Sequence, residues 1–163
     1  MKKTIFCLLL MCGIAAAISA DTILLFSEKP TGVGNEEESV GYIEDGIMDV
    51  FFTAGHIIFN GGYQQFDEET TESQNTFVDD LSFRQAKSGG AHYVLQVQLR
   101  FNENDEDTLP VKALYRFYEL KSEEQLVSGE VLLAESGDQE ELEDWELIQK
   151  MGREVGSQAL RKM

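Results

Sequence analysis

Apolar and polar positions recur along this chain with two periods, and the switches between them lay out its elements. Residues 22–27, Thr-Ile-Leu-Leu-Phe-Ser, form a short apolar run closed by Lys29-Pro30-Thr31-Gly32, the pattern of a buried strand. Ser39, behind three consecutive glutamates, is a candidate N-cap. Val40, Ile43, Ile47, Phe51, Ala54 and Ile58 then return every three or four residues. That spacing predicts a helix with one apolar face. Asn60-Gly61-Gly62 is expected to end it, because glycine accepts the left-handed geometry beyond a helix. Residues 63–66 are expected as a short strand and residues 67–75 as an acidic loop. Phe77, Val78, Leu81 and Ala86 predict a second helix, stopped by Gly89-Gly90.

The period then becomes two. Tyr93, Leu95, Val97, Leu99 and Phe101 share one face of a strand, with Gln96, Gln98 and Arg100 on the other. After a polar turn region, Val111, Ala113, Tyr115 and Phe117 alternate in the next strand. Residues 121–124 make a tight turn, and residues 125–133 return as a further strand. Three consecutive antiparallel strands, a meander, are the economical arrangement. Leu142, Trp145, Ile148, Gly152, Val155 and Ala159 mark the buried stripe of a closing helix, with acids towards its start and bases towards its end. Gly152 is expected to serve close packing on the sheet, since it costs about 1 kcal/mol against alanine. Strand, helix, short strand, helix, three strands and helix make an α/β (α+β) fold. The sheet is mixed, carries a three-stranded antiparallel meander, and has helices packed on one face.

The first twenty residues stand apart. Lys2 and Lys3 precede an apolar run over residues 5–18, and small residues (Ala15, Ala16, Ala17, Ser19, Ala20) close it. A charged start, a short apolar stretch and a small-residue exit describe a secretory signal peptide. The run is short of the roughly 20 residues that cross a bilayer. Residues 1–20 are therefore expected as a signal peptide and residues 21–163 as one α/β domain. A lipoprotein reading would use Cys12, followed by Gly13 but preceded by the bulky Met11. Cleavage after Ala20 is the preferred reading, with a lipid anchor at Cys12 as its alternative. Both cysteines, Cys7 and Cys12, lie in the leader, so a chain starting at Asp21 has no disulfide to rest on.

Charge narrows the partners. The chain holds 30 acidic and 13 basic residues, a formal net charge of -17. Loss of Lys2 and Lys3 would leave the acidic excess larger. Such a chain is repelled by nucleic acid and by anionic lipid, so neither is an expected partner. Gly-rich phosphate loops, Cys/His zinc spacings and G-x-S-x-G are absent from the sequence.

Two stretches carry a resemblance. Gly90-Ala-His-Tyr-Val-Leu-Gln-Val opens a strand. Val111-Lys-Ala-Leu-Tyr-Arg-Phe-Tyr-Glu-Leu-Lys-Ser-Glu-Glu-Gln-Leu-Val-Ser-Gly-Glu130 forms a hairpin whose return strand carries valine-serine-glycine. The chain from Val40 to Met163 resembles small envelope α/β domains. These are the N-terminal domain of the Tol-system translocation protein, the lipoprotein activators of penicillin-binding proteins, and the periplasmic domain of the curli secretion lipoprotein. No β-propeller follows in this sequence and no transmembrane hairpins are inserted, so neither a Tol-type role nor a curli-type pore is expected. The resemblance carries over no catalytic residue. It implies binding to other envelope proteins.

Candidate chemistry is sparse. His56 is read as a histidine favoured by a helix C-terminus, and His92 as a strand-edge residue. Residues 102–107 offer oxygen ligands at alternating positions. They lack the glycine and the closing glutamate of a calcium loop, so a solvated hairpin loop is expected and no metal site. The acidic cluster over residues 135–146 is read as loop and helix start, able to dock a basic partner. Gln96, Gln98, Arg100, Arg116 and Tyr118 would form a polar-aromatic platform if no helix covers their side of the sheet, and Tyr and Arg are enriched in interface hot spots. The expected function is a non-enzymatic periplasmic or secreted domain that recognises another envelope component, without a cofactor. Two alternatives remain: an envelope-polymer hydrolase using Asp79, Asp80 or Glu130, and a small-molecule or divalent-cation binder.

Overall fold

A computed structural model describes residues 20–29, 36–64, 81–102, 109–133 and 142–163. Residues 1–19 of the leader, Phe77, Val78, Asp79, Asp80 and residues 103–107 lie outside the described residues. Five strands form one mixed sheet: β1 (Thr22–Glu28), β2 (Ile57–Gln64), β3 (Tyr93–Arg100), β4 (Lys112–Glu119) and β5 (Glu124–Leu132). Their spatial order is β2-β1-β3-β4-β5. β1 pairs in parallel with β2 and β3. β3, β4 and β5 make the expected antiparallel meander. The helices are α1 (Glu36–Thr53), α2 (Leu81–Ser88) and α3 (Asp144–Leu160).

The main core lies between one sheet face and the helices α1 and α3. Val40, Ile43, Ile47 and Phe51 of α1 and Ile148, Met151, Val155 and Ala159 of α3 pack on Ile23, Leu25, Leu95, Val97, Tyr115 and Phe117. The period-two alternation of β3 and β4 is what aims those strand residues at the helices. Tyr93 and Phe117 stack with ring centroids 5.2 Å apart.

α2 adds a third layer. Its Phe83 and Ala86 pack with Phe26, Val94 and Leu120, on the face opposite the main core. Connections between parallel strands prefer one hand. The step from β1 to β2 and the step from β2 back past β1 to β3 run in opposite directions. A common hand therefore puts α1 and α2 on opposite faces.

Four local expectations are corrected. The first helix stops at Thr53, not beyond Ile58, and Gly61-Gly62 lie inside β2. Gly55 ends it, with φ +86°. The Gly55 N–H donates to the Phe52 carbonyl at 3.0 Å and the His56 N–H to the Phe51 carbonyl at 2.9 Å, a Schellman close. The helical spacing of Ala54 and Ile58 was a coincidence of register, because Ile57-Ile58-Phe59 is β-favouring and β1 offers an edge to pair with. Ser39 is buried inside α1 rather than capping it.

The other two concern α3. Trp145 is 43 % exposed, its ring 6.4 Å from that of Tyr42. Gly152 packs on α1 rather than on the sheet: a Cβ there would stand 2.3 Å from the Ile43 carbonyl oxygen. Gly46 is its counterpart, 2.0 Å from the Gln149 carbonyl oxygen by the same measure. The two helices cross backbone to backbone.

Candidate functional site

The sheet face opposite α1 and α3 gathers all five residues of the expected platform. Gln96 pairs across with Arg116, and Val94 with Tyr118, so Gln96, Gln98, Arg100, Arg116 and Tyr118 share one side. Lys112 and Leu114 of β4 lie on it too, facing Leu132 and Glu130 of β5. Pairing of β3 with β4 over their full length is what makes one face out of two alternating sequences.

The two ends of this face differ. At one end α2 covers it. Phe83 meets Tyr118 edge-on, with ring centroids 5.1 Å apart. Gln96, next along β3 from Val94, is 7 % exposed. Tyr118 and Gln96 are thus structural partners of the smaller core as much as surface groups. At the other end the side chains reach solvent. Glu28 takes a hydrogen bond from Gln98 Nε2 at 2.5 Å and one from Arg100 Nη1 at 3.5 Å. Lys112 Nζ stands 2.9 Å from Glu130 Oε2. Partly exposed ion pairs of this sort contribute roughly 0–1 kcal/mol each. They orient the cations without committing them to the fold. Glu28 was not read as part of the face; its place at the end of β1, beside β3, was the missing information.

The other candidates land as follows. Of the hydrolase candidates, Glu130 pairs with Lys112 at the surface, and Asp79 and Asp80 fall outside the described residues. Glu143 and Glu146, at the end of the acidic cluster, are drawn into the start of α3, where the Glu143 N–H donates to Glu146 Oε2 at 3.0 Å. Among the described residues, no group of three or more His, Cys, Asp or Glu is arranged to hold a metal ion. Nor is any helix among them long and apolar enough to cross a membrane.

Two polar clusters escaped the sequence reading. The first is Glu44, on the buried side of α1. It accepts from Ser27 Oγ at 2.5 Å and from Asn60 Nδ2 at 2.6 Å. Burial pushes its carboxyl above the ordinary glutamate value, and Asp45 adds to the rise. The Ser27 and Asn60 hydrogen bonds pull it back. An acid wedged between core positions 43 and 47 was the available signal. The second cluster joins both histidines of the chain to Asp21. His56 Nδ1 accepts from the Asp21 N–H at 3.3 Å, and His92 Nδ1 accepts from the Thr22 N–H at 3.2 Å. Asp21 Oδ1 lies 3.1 Å from His92 Nδ1 and Oδ2 lies 3.8 Å from His56 Nδ1. No sequence spacing announces a contact between residues this far apart in the chain.

Fold and face together describe a mixed α/β domain with one sheet face buried under two helices and the other half covered. No protein-family model matches the chain. No curated protein sequence matches it either. Among solved structures it is similar to TolB from Acinetobacter baumannii, at 12 % identity and a TM-score of 0.44. That match covers 87 % of this chain and 28 % of the TolB chain. It is also similar to lipoprotein GNA1162 from Neisseria meningitidis, at 14 % identity and TM-score 0.43, covering 86 % of this chain and 99 % of that one. A third is the hypothetical protein CT253 from Chlamydia trachomatis, at 10 % identity and TM-score 0.42, covering 88 % and 95 %. These are distant similarities of shape that assign neither partner nor activity.

Proposed function

We propose that this chain is an exported, non-enzymatic envelope domain that binds another envelope component through the open half of its sheet. The leader pattern over residues 1–20, with cleavage after Ala20, supports delivery to the periplasm or beyond. One observation carries the binding reading. In a chain of net charge -17, Arg100, Lys112 and Arg116 stand on adjacent strands of a single, partly exposed sheet face. A guanidinium presents a planar fork of donors suited to carboxylates and to aromatic faces. The partner this face fits is a protein surface carrying acidic or aromatic groups.

The test uses the full chain, expressed with its leader and recovered from the envelope fraction. Affinity capture with the wild-type protein is compared with an Arg100→Glu/Arg116→Glu variant and with a Lys150→Glu control on α3. Thermal melts check that each variant is folded. The expected result is a specific partner retained by wild type and control and depleted at least tenfold by the double variant. An unchanged set of partners with a folded double variant would reject the face.

A further inference from the structure

We propose that cleavage between Ala20 and Asp21 creates an amino terminus that the fold is built to receive, with His56 accepting from the released amine. The inference rests on the leader reading above and adds the seat. Among the described residues, hydrogen bonding of the sheet starts at the residue that would become the first. The Asp21 carbonyl accepts from the Ile57 N–H at 2.8 Å, and the Thr22 carbonyl accepts from the His92 N–H at 2.7 Å. Ala20, the last residue of the small-residue exit, is exposed. The end of the leader pattern thus coincides with the first sheet hydrogen bond among the described residues.

The chemistry at that point suits an amine. The Asp21 nitrogen already aims its N–H at His56 Nδ1, 3.3 Å away. An accepting ring nitrogen carries no proton, so the His56 proton sits on Nε2. Cleavage turns a neutral amide with one donor into an ammonium with three. The bond to His56 becomes charge-assisted, a class roughly twice as strong as a neutral one. The charges around it are complementary. The Asp21 carboxylate lies between the two imidazoles, within 3.8 Å of His56 Nδ1 and 3.1 Å of His92 Nδ1. Asp21 and Glu119 both act on the nearby Tyr93 hydroxyl. The groups gathered at the terminus are two imidazoles and the Asp21 carboxylate. His56 is largely buried, its side chain 15 % exposed, so the seat is sheltered from solvent competition. A chain that kept its leader, or that began at a lipidated Cys12, would leave an uncharged amide here and keep only the neutral bond.

The full precursor is expressed with its leader, and the processed protein is purified from the envelope fraction. Intact-mass measurement identifies its first residue. A limiting acylating reagent near neutral pH then reports the reactivity of the terminal amine, folded and in urea. The expected outcome is a start at Asp21 and an amine that labels at least fivefold more slowly in the folded protein than in the unfolded one. His56→Ala should abolish the protection and His56→Gln, whose amide oxygen also accepts, should restore part of it. A mature start at any other residue would overturn the leader reading and the seat with it. A start at Asp21 with equal labelling in folded and unfolded wild type would overturn the seat alone. The wild-type comparison decides even if His56→Ala does not fold.

Discussion

Glu44 shows what a single misplaced charge does in this core. It is 6 % exposed and holds two neutral donors, Ser27 and Asn60. Its folded pKa is raised above the ordinary 4.5, chiefly by burial. The folded protein therefore binds this proton more tightly than the unfolded chain does. Its stabilising effect is fully present below the unfolded pKa and is lost as pH rises through the higher folded value. Glu44→Gln keeps the shape, and the Ser27 hydroxyl can turn from donor to acceptor. We expect the variant to gain on the wild type by about 1 kcal/mol at neutral pH. That advantage should shrink as the pH falls into the ordinary carboxylate range. Urea melts at both pH values check this; a difference that does not depend on pH would refute the account. The residue was legible as an acid on a helix, but its burial was not, because Asn60 was assigned to that helix's C-terminus.

At the scale of elements, the tightest contact is the crossing of α1 and α3 at Gly46 and Gly152. Gly152→Ala would add a methyl 2.3 Å from the Ile43 carbonyl oxygen, with backbone that cannot swing aside. Overpacking of this kind costs roughly 1–3 kcal/mol and outweighs the gain of about 1 kcal/mol in helix propensity. The expected drop in melting temperature is about 5 °C. Gly41, also in α1, has nothing within 4 Å of a built Cβ. Gly41→Ala should therefore stabilise by about 0.5–1 kcal/mol. Opposite signs from the same substitution on packed helices would confirm the crossing; equal signs would reject it. The glycine at 152 was conspicuous in the sequence, yet its partner was not. Periodicity gives the direction of a helix face but not which element lies against it. The same gap explains the early end of α1, where Gly55 and the β-favouring run after it outranked a helical spacing.

For the whole molecule, net charge is the dominant long-range quantity. A formal charge of -17 repels itself in the compact state. The exposed pairs Lys87–Glu123, Lys112–Glu130 and Arg153–Asp49 offset this by no more than about 1 kcal/mol each. Salt shortens the screening length from about 30 Å at 0.01 M to about 3 Å at 1 M. The melting temperature is expected to rise over that range, whereas a fall would mean that surface ion pairs outweigh the general repulsion. The binding proposed for the Arg100–Arg116 face should weaken over the same range, since the pairing there is exposed.

Local pattern was enough for the leader-like start, the strands of the meander, the apolar stripes of α1 and α3, and the acidic balance. Those follow from periods of two and three to four residues and from summed charge, which need no knowledge of neighbours. It also placed Gln98, Arg100 and Arg116 on one side of their strands. Which sides are covered depends on how whole elements pack. That packing set α2 against Phe26 and Tyr118, brought Glu28 to Gln98 and Arg100, sealed Glu44 on the buried side of α1, and carried His56 and His92 to Asp21. Each of those contacts joins residues distant in the chain, and long-range pairing is chosen by the packing of whole elements rather than by any local pattern.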